Sequence, residues 1–230
     1  MLDRFTSLHS HHPGLARTRL ACRRHLTLDQ QIEGPQAFIR SRPGGWRGQQ
    51  ERNRRQSGRS SPPAFRPCDL LVNNAGIFPP KAFIDYTEED YHLVMNTNVA
   101  SFFYMTQQVI APMKTQNSGH VVNISGASVD QPSGAATELL AVLSKSTMPA
   151  ASKALALEYA AKNIRFNTVS PAVVNTPMHA KANHAELAKL HPLARIGEVS
   201  DVVDAVLYLQ SATFVTGENI RVDGGVHAGR

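Results

Sequence analysis

The chain changes character at Asp69. Residues 1–68 carry thirteen arginines, no lysine and four acids, a net charge of +9. Residues 69–230 carry seven lysines, four arginines and fourteen acids, a net charge of −3. The overall charge of +6 therefore belongs to the first segment alone. That segment is cut by Pro13-Gly14, Gly34-Pro35, Pro43-Gly44-Gly45 and Pro62-Pro63, and Arg52–Ser61 has no apolar side chain. Such text cannot bury enough surface to offset its ordering entropy. Residues 1–68 are read as an Arg-rich segment, disordered or aberrant, and 69–230 as the folded unit. A short helix over Leu26–Phe38, capped by Thr27 or Asp29, is broken by Gly34-Pro35.

After Asp69, strand and helix patterns alternate. Leu70-Leu71-Val72 is a short apolar run stopped by Asn73-Asn74-Ala75-Gly76. Thr87-Glu88-Glu89-Asp90 opens a helix that runs through Met113, with a capping Thr and an acid three residues on. His120–Ile124 reads as a buried strand, Leu139–Ala161 as a long helix and Ile164–Val169 as a third strand ended by Ser170-Pro171. Ser200–Leu209 and Asn219–Val222 add a helix and a last strand. This alternation predicts an α/β fold with a parallel sheet covered by helices on both faces. No run approaches the length of a membrane helix, and two cysteines, Cys22 and Cys68, are too few for a disulfide scaffold or a zinc site of their own. No metal site is expected: His179, His184 and His191 read as surface positions in a flexible lid, and His9, His11 and His12 as a cluster in the Arg-rich arm.

Several of these segments resemble one family. Asp69–Gly76, Met95-Asn96-Thr97-Asn98-Val99, Gly119–Ser125, Ile164–Pro171, Asn175-Thr176-Pro177-Met178 and the ending Val215–Gly225 are similar, in order and spacing, to motifs of the short-chain dehydrogenases/reductases. The likeness covers residues 69–228, about 70% of the chain. It implies a Rossmann-like, doubly wound parallel sheet, of which this stretch supplies strands four to seven. It implies an oxidoreductase acting with NAD or NADP on a carbonyl or alcohol of a small molecule, in a cytoplasmic homodimer or homotetramer. No nucleic acid and no membrane is expected as partner.

The resemblance also assigns residues. Lys145 corresponds to the family's lysine, Asn98 to the asparagine that holds it through water, and a serine to the substrate-orienting position. Counting from the preceding strand puts that serine at Gly126, beside Ser125. Counting thirteen residues back from the tyrosine position gives Ser128. Ser125 and Ser128 both remain candidates. Asn73, Ala75 and Gly76 match residues lining the adenosine; Pro171, Val174 and Thr176 match those holding the nicotinamide carboxamide, with Lys145 on the ribose. Ala172 stands where the family usually has glycine.

Two parts of the pattern are absent. The family's proton donor is a tyrosine four residues before the lysine, and Ala141 occupies that position; a methyl group donates no proton. Tyr86, Tyr91, Tyr104, Tyr159 and Tyr208 lie elsewhere in the pattern, and Ser144 reads as a solvated helix residue. The Gly-rich phosphate turn is also missing. The nearest cluster, Gly44-Gly45-Trp46-Arg47-Gly48, follows no apolar strand and precedes no amphipathic helix. A reading-frame or gene-start change that replaced the first half of the sheet is the expectation for residues 1–68. A targeting peptide and a nucleic-acid-binding arm are its rivals. Family membership is thus expected and full turnover is not. The alternatives are a non-catalytic dimerising or small-molecule-binding relative, and an inactive fragment whose Leu70-Leu71-Val72 edge is bare and aggregation-prone.

Overall fold

The computed structural model describes residues 19–22, 36–40, 68–132 and 137–229. Among the described residues six strands form one sheet in sequential order: β1 (Arg19–Cys22), β2 (Gln36–Arg40), β3 (Leu70–Asn73), β4 (Gly119–Ile124), β5 (Ile164–Pro171) and β6 (Asn219–Val222). β3 to β6 run parallel, β1 is parallel to β2, and β2 is antiparallel to β3. Among the described residues five α-helices accompany them: α1 (Glu88–Val94), α2 (Ser101–Gln116), α3 (Leu139–Tyr159), α4 (His184–Ala188) and α5 (Val199–Ser211).

The alternation of β-strand side chains sends β3 to β5 two ways. Leu71, Val121 and Phe166 are neighbours in register and pack with Val109, Met113 and Ala156 of α2 and α3. Leu70, Val72, Val122 and Val169 face the other way, onto Val206 and Leu209 of α5. The sheet is therefore doubly wound, with a core on each face. Close approach fixes one glycine: a methyl on Gly119 would lie 2.4 Å from Met113 Sδ. α2 ends where Asn117 adopts the left-handed conformation (φ 50°), which asparagine tolerates. Among the described residues no helix is long and apolar enough to cross a membrane.

Helix starts follow the sequence with small shifts. Thr87 caps α1 reciprocally with Asp90, as the acid three residues on requires. α5 begins one residue before Ser200, because Glu198 and Asp201 form the capping pair. The long helix expected from Glu88 to Met113 is interrupted: residues Met95–Ala100 form a π-helical turn. Such turns re-aim side chains and recur at functional sites.

Two expectations for the first segment are corrected. Leu70–Asn73 is not a bare edge, since Arg40 to Ala37 pair antiparallel along it. The helix proposed over Leu26–Phe38 overlaps β2, so Gln36–Phe38 is extended. The physical reason is common to both: an open sheet edge offers unpaired N–H and C=O groups, and an extended segment satisfies them. The rest of that span, the histidines of the arm and the Gly44–Gly48 cluster lie outside the described residues.

Candidate functional site

The carboxyl ends of β3, β4 and β5 gather most of the residues singled out above. Beneath them, Asn73 Nδ2 donates to Asn123 Oδ1 at 2.8 Å and to Thr106 Oγ1 at 3.0 Å. Asn123 Nδ2 donates to Ser152 Oγ at 2.9 Å, and the Ser152 and Thr168 hydroxyls are 2.9 Å apart. This buried ladder ties three strands to α2 and α3. It also commits the Asn73 side chain to the protein interior.

Asn98 is fully buried in the π-helical turn. Its Nδ2 donates to the Ile77 carbonyl at 3.1 Å and to Ser144 Oγ at 2.8 Å, while Ile77 N–H donates to its Oδ1 at 2.8 Å. One side chain thus clamps the turn after β3 to α3. Ser144 is fully buried and passes its own proton to the Ala141 carbonyl at 3.1 Å. The sequence reading of Ser144 as solvated is therefore corrected. Its signal was available: Ala141, Ser144, Met148 and Ser152 are all buried and share one helical face.

Lys145 leaves α3 toward the end of β4. Its Nζ donates to the Ser125 carbonyl at 3.0 Å, and Ser125 Oγ donates back to the Lys145 carbonyl at 2.9 Å. The Ser125 hydroxyl is thereby turned into the protein. Ser128 lies in the following turn, Ala127–Val129. A methyl placed on Gly126 would sit 3.6 Å from Lys145 Nζ and 3.8 Å from Ser128 Oγ, in ordinary contact. A methyl on Gly76 would sit 3.5 Å from Asn98 Oδ1 and 4.0 Å from Lys145 Cε. Burial pushes the Lys145 ammonium below the usual lysine range, and the charge of Glu138 opposes that shift.

The opposite wall comes from the segment after β5. Pro171 ends β5, Val174 bridges to Gly197, and Thr176 precedes the turn Pro177–His179 with no capping bond from its hydroxyl. Burial first, then the charges of His184 and Lys145, lowers the His179 pKa below the usual histidine range. His191 corrects the surface-lid reading. It is buried, and its Nε2 accepts from Val173 N–H at 3.3 Å while its Nδ1 lies 3.1 Å from the Leu187 carbonyl. A loop turned inward needs partners for its backbone, and this imidazole supplies them. Among the described residues no group of His, Cys, Asp and Glu could hold a metal ion.

The comparisons decide the family. A family model described as enoyl-(acyl carrier protein) reductase matches residues 60–227. The chain belongs to the short-chain dehydrogenase/reductase family. A 3alpha-hydroxysteroid dehydrogenase of Mediterraneibacter gnavus is 36% identical over 171 residues, 71% of this chain and 67% of that protein. A 3-oxoacyl-[acyl-carrier-protein] reductase of Thermotoga maritima is 36% identical over 164 residues, 69% of this chain and 65% of that protein. A gluconate 5-dehydrogenase from Burkholderia cenocepacia, solved with NADP and tartrate, superposes with a TM-score of 0.67 at 25% identity, over 73% of this chain and 68% of that one. The chain spans about two thirds of the length of the curated relatives it matches.

Within this short-chain dehydrogenase/reductase fold, the side chains fit a nicotinamide nucleotide on one half. Gly76 and Gly126 leave room beside Lys145, whose ammonium has donors beyond the one given to Ser125. The site lies at the carboxyl ends of parallel strands, where doubly wound sheets take such ligands. The residues that would meet the pyrophosphate are not among those described. Ala141 is 1% exposed and presents only a methyl at the position of the family's phenol.

Proposed function

We propose that this chain binds NAD or NADP through the nicotinamide half of the site and is an oxidoreductase for a carbonyl or alcohol substrate whose proton-transfer step is impaired. The observation that carries the reading is Asn98, buried and bonded at once to Ile77 and Ser144, which sets α3 and Lys145 against the turn after β3. Lys145 would bind the nicotinamide ribose, Pro171, Val174 and Thr176 the carboxamide, and Asn73, Ala75 and Gly76 the adenosine side. Ser125 orients Lys145 through their reciprocal bonds. The nucleotide, when bound, supplies or accepts the hydride. The chain's own residues position it and set Lys145 beside it, but no phenol stands ready at Ala141. General acid–base groups usually contribute about 10²–10⁴-fold, and that factor is what this site forgoes. The relatives that reduce 3-oxoacyl groups and oxidise hydroxysteroids support a carbonyl/alcohol pair as substrate.

Titration calorimetry with NADPH and NADH tests the reading. Saturable binding by the full chain that weakens in Lys145→Ala supports it; no binding at millimolar nucleotide overturns it. Ala141→Tyr should raise NADPH-dependent reduction of a ketone by about 10²-fold or more. Its melting temperature is measured alongside, because overpacking a buried site costs roughly 1–3 kcal/mol.

A second reading, a non-catalytic dimerising relative, is favoured by one observation. Of the apolar residues on the long helices, Val94, Phe102 and Val109 are in the core, whereas Phe103, Leu139, Leu143 and Leu157 are exposed. Exposed apolar side chains on two adjacent helices suit a homodimer or homotetramer interface. Sedimentation velocity separates the readings when joined to the calorimetry: association without nucleotide binding selects the second.

A further inference from the structure

A cleft of about 590 Å³ opens between residues 83–91 and the first turns of α3. Leu143, which lines it, is two residues from both Ala141 and Lys145, so it stands about 160° round the helix from each. Leu143 is 49% exposed, whereas Ala141 and Ser144 are buried. The cleft is therefore separate from the site at the strand ends, and it does not depend on nucleotide binding. Its volume falls in the range of small-molecule sites, about 300–1,000 Å³. Its walls are aromatic and aliphatic: Phe83, Ile84, Tyr86 and Tyr91 on one side, Leu139 and Leu143 on the other. Tyr86 is held in place, its hydroxyl donating to the Pro79 carbonyl at 2.9 Å. A wall ordered before the ligand arrives lowers the cost of binding. Glu88 also lines the cleft, its carboxylate 3.4 Å from His92 Nε2 and paired with no Lys or Arg among the described residues. The flanking sequence has one sign. Residues 82–91 carry Asp85, Glu88, Glu89 and Asp90 without a Lys or Arg, and Glu138 precedes Leu139. Of these, Asp90 is engaged by Lys81.

We propose that this cleft binds an amphiphilic organic cation, an apolar ring or chain bearing an ammonium group. The ammonium lies at Glu88 and the aromatic rings, and the apolar body lies along Leu139 and Leu143. The negative face of a ring attracts a cation. Glu88 adds its charge, and the same acids repel an anion. A second copy of this chain fits the cleft less well, because a two-fold interface sets each acidic rim against its own image.

The test is a charge series of one shape: 4-phenylbutylamine, protonated at neutral pH, 4-phenylbutanol and 4-phenylbutyrate. Saturation-transfer NMR titrations with the full-length chain, without nucleotide, give the affinity of each. The amine is expected to bind about tenfold more tightly than the alcohol, and the butyrate most weakly. Glu88→Gln should remove most of that preference and leave the alcohol unchanged. Leu143→Ser, a change at a half-exposed position, should weaken all three several-fold. Equal affinities across the unmutated series, or no binding at millimolar amine, overturns the proposal without any variant having to fold. A preference for the amine that survives Glu88→Gln overturns it as well. Sedimentation velocity is run alongside: amine binding that is lost as the chain self-associates overturns the proposal in favour of a second copy.

Discussion

Two buried polar clusters sit at opposite ends of the same strands, and they behave as opposites. At the amino-terminal end, His120 Nδ1 lies 2.8 Å from Gln210 Oε1 and its Nε2 accepts from Asn167 Nδ2 at 3.0 Å. Arg165 beside it donates to the carbonyls of Leu209, Gln210, Ala212 and Val215, closing the end of α5. Every group there is matched by a group of the chain itself. At the carboxyl-terminal end, Asn98 and Ser144 are matched in the same way, but Lys145 is left with a neutral carbonyl and with spare donors. A closed network holds the fold; a network with capacity left over is where a ligand gains most. The location of the spare capacity, rather than polarity or burial, distinguishes a site from a strut.

The largest expected effect breaks the closed cluster. Arg165→Ala should cost roughly 3 kcal/mol of unfolding free energy, since it strands helix-end carbonyls and removes charge-assisted bonds. A urea denaturation midpoint reads it; a loss below about 1 kcal/mol would show that water replaces the guanidinium.

Acid should weaken the same cluster next. Desolvation first, then the Arg165 charge, lowers the His120 pKa from the ordinary 6.5 to about 3, with the Gln210 bond opposing. The unfolded chain therefore binds the proton first as pH falls. Stability is fully present above about 6.5 and declines toward 3, by roughly 2–3 kcal/mol between pH 6.5 and 4.5. Carboxylates lowered in the fold, such as Asp223, lose their contribution only at lower pH. Denaturation midpoints at pH 7.5, 6 and 4.5 check this, and His120→Gln should flatten the dependence.

In the open cluster, Asn98→Ala should cost about 2 kcal/mol through the orphaned Ile77 backbone. It should also abolish nucleotide binding, the calorimetric result that a purely structural asparagine would not give. The smallest effect has the opposite sign. Lys145→Met should stabilise the chain by about 1 kcal/mol, because it removes a desolvated cation that lacks a counter-ion. A destabilised Lys145→Met would mean that both clusters are struts.

Much of this was legible in the chain's text. β6 has the bounds read from the sequence, and β3, β4, β5 and α3 differ from them by a few residues at their ends, because apolar runs bounded by turn residues leave little choice of period. The positions of Ala141 and Lys145 came from the resemblance to the family's motif and its spacing to Ile164-Arg165. The π-helical turn was not legible, since its residues carry an ordinary helical pattern; its effect is to bury Asn98 where it can reach Ile77 and Ser144. Ser144 and His191 were misread as solvated for a shared reason. Polar side chains look like surface until the backbone groups that need them are known.

The sequence by itself determined the alternation of strands and helices, the likeness to the family and the alanine at position 141, because these depend on local pattern and residue identity. Only the tertiary structure decided that Leu70–Asn73 has a neighbour in Gln36–Arg40, that Ser125 turns its hydroxyl inward, and that the Lys145 ammonium donates to the Ser125 carbonyl. Those outcomes depend on what lies across the fold, and hydrogen-bond partners brought together from distant parts of the chain leave no periodic trace in it.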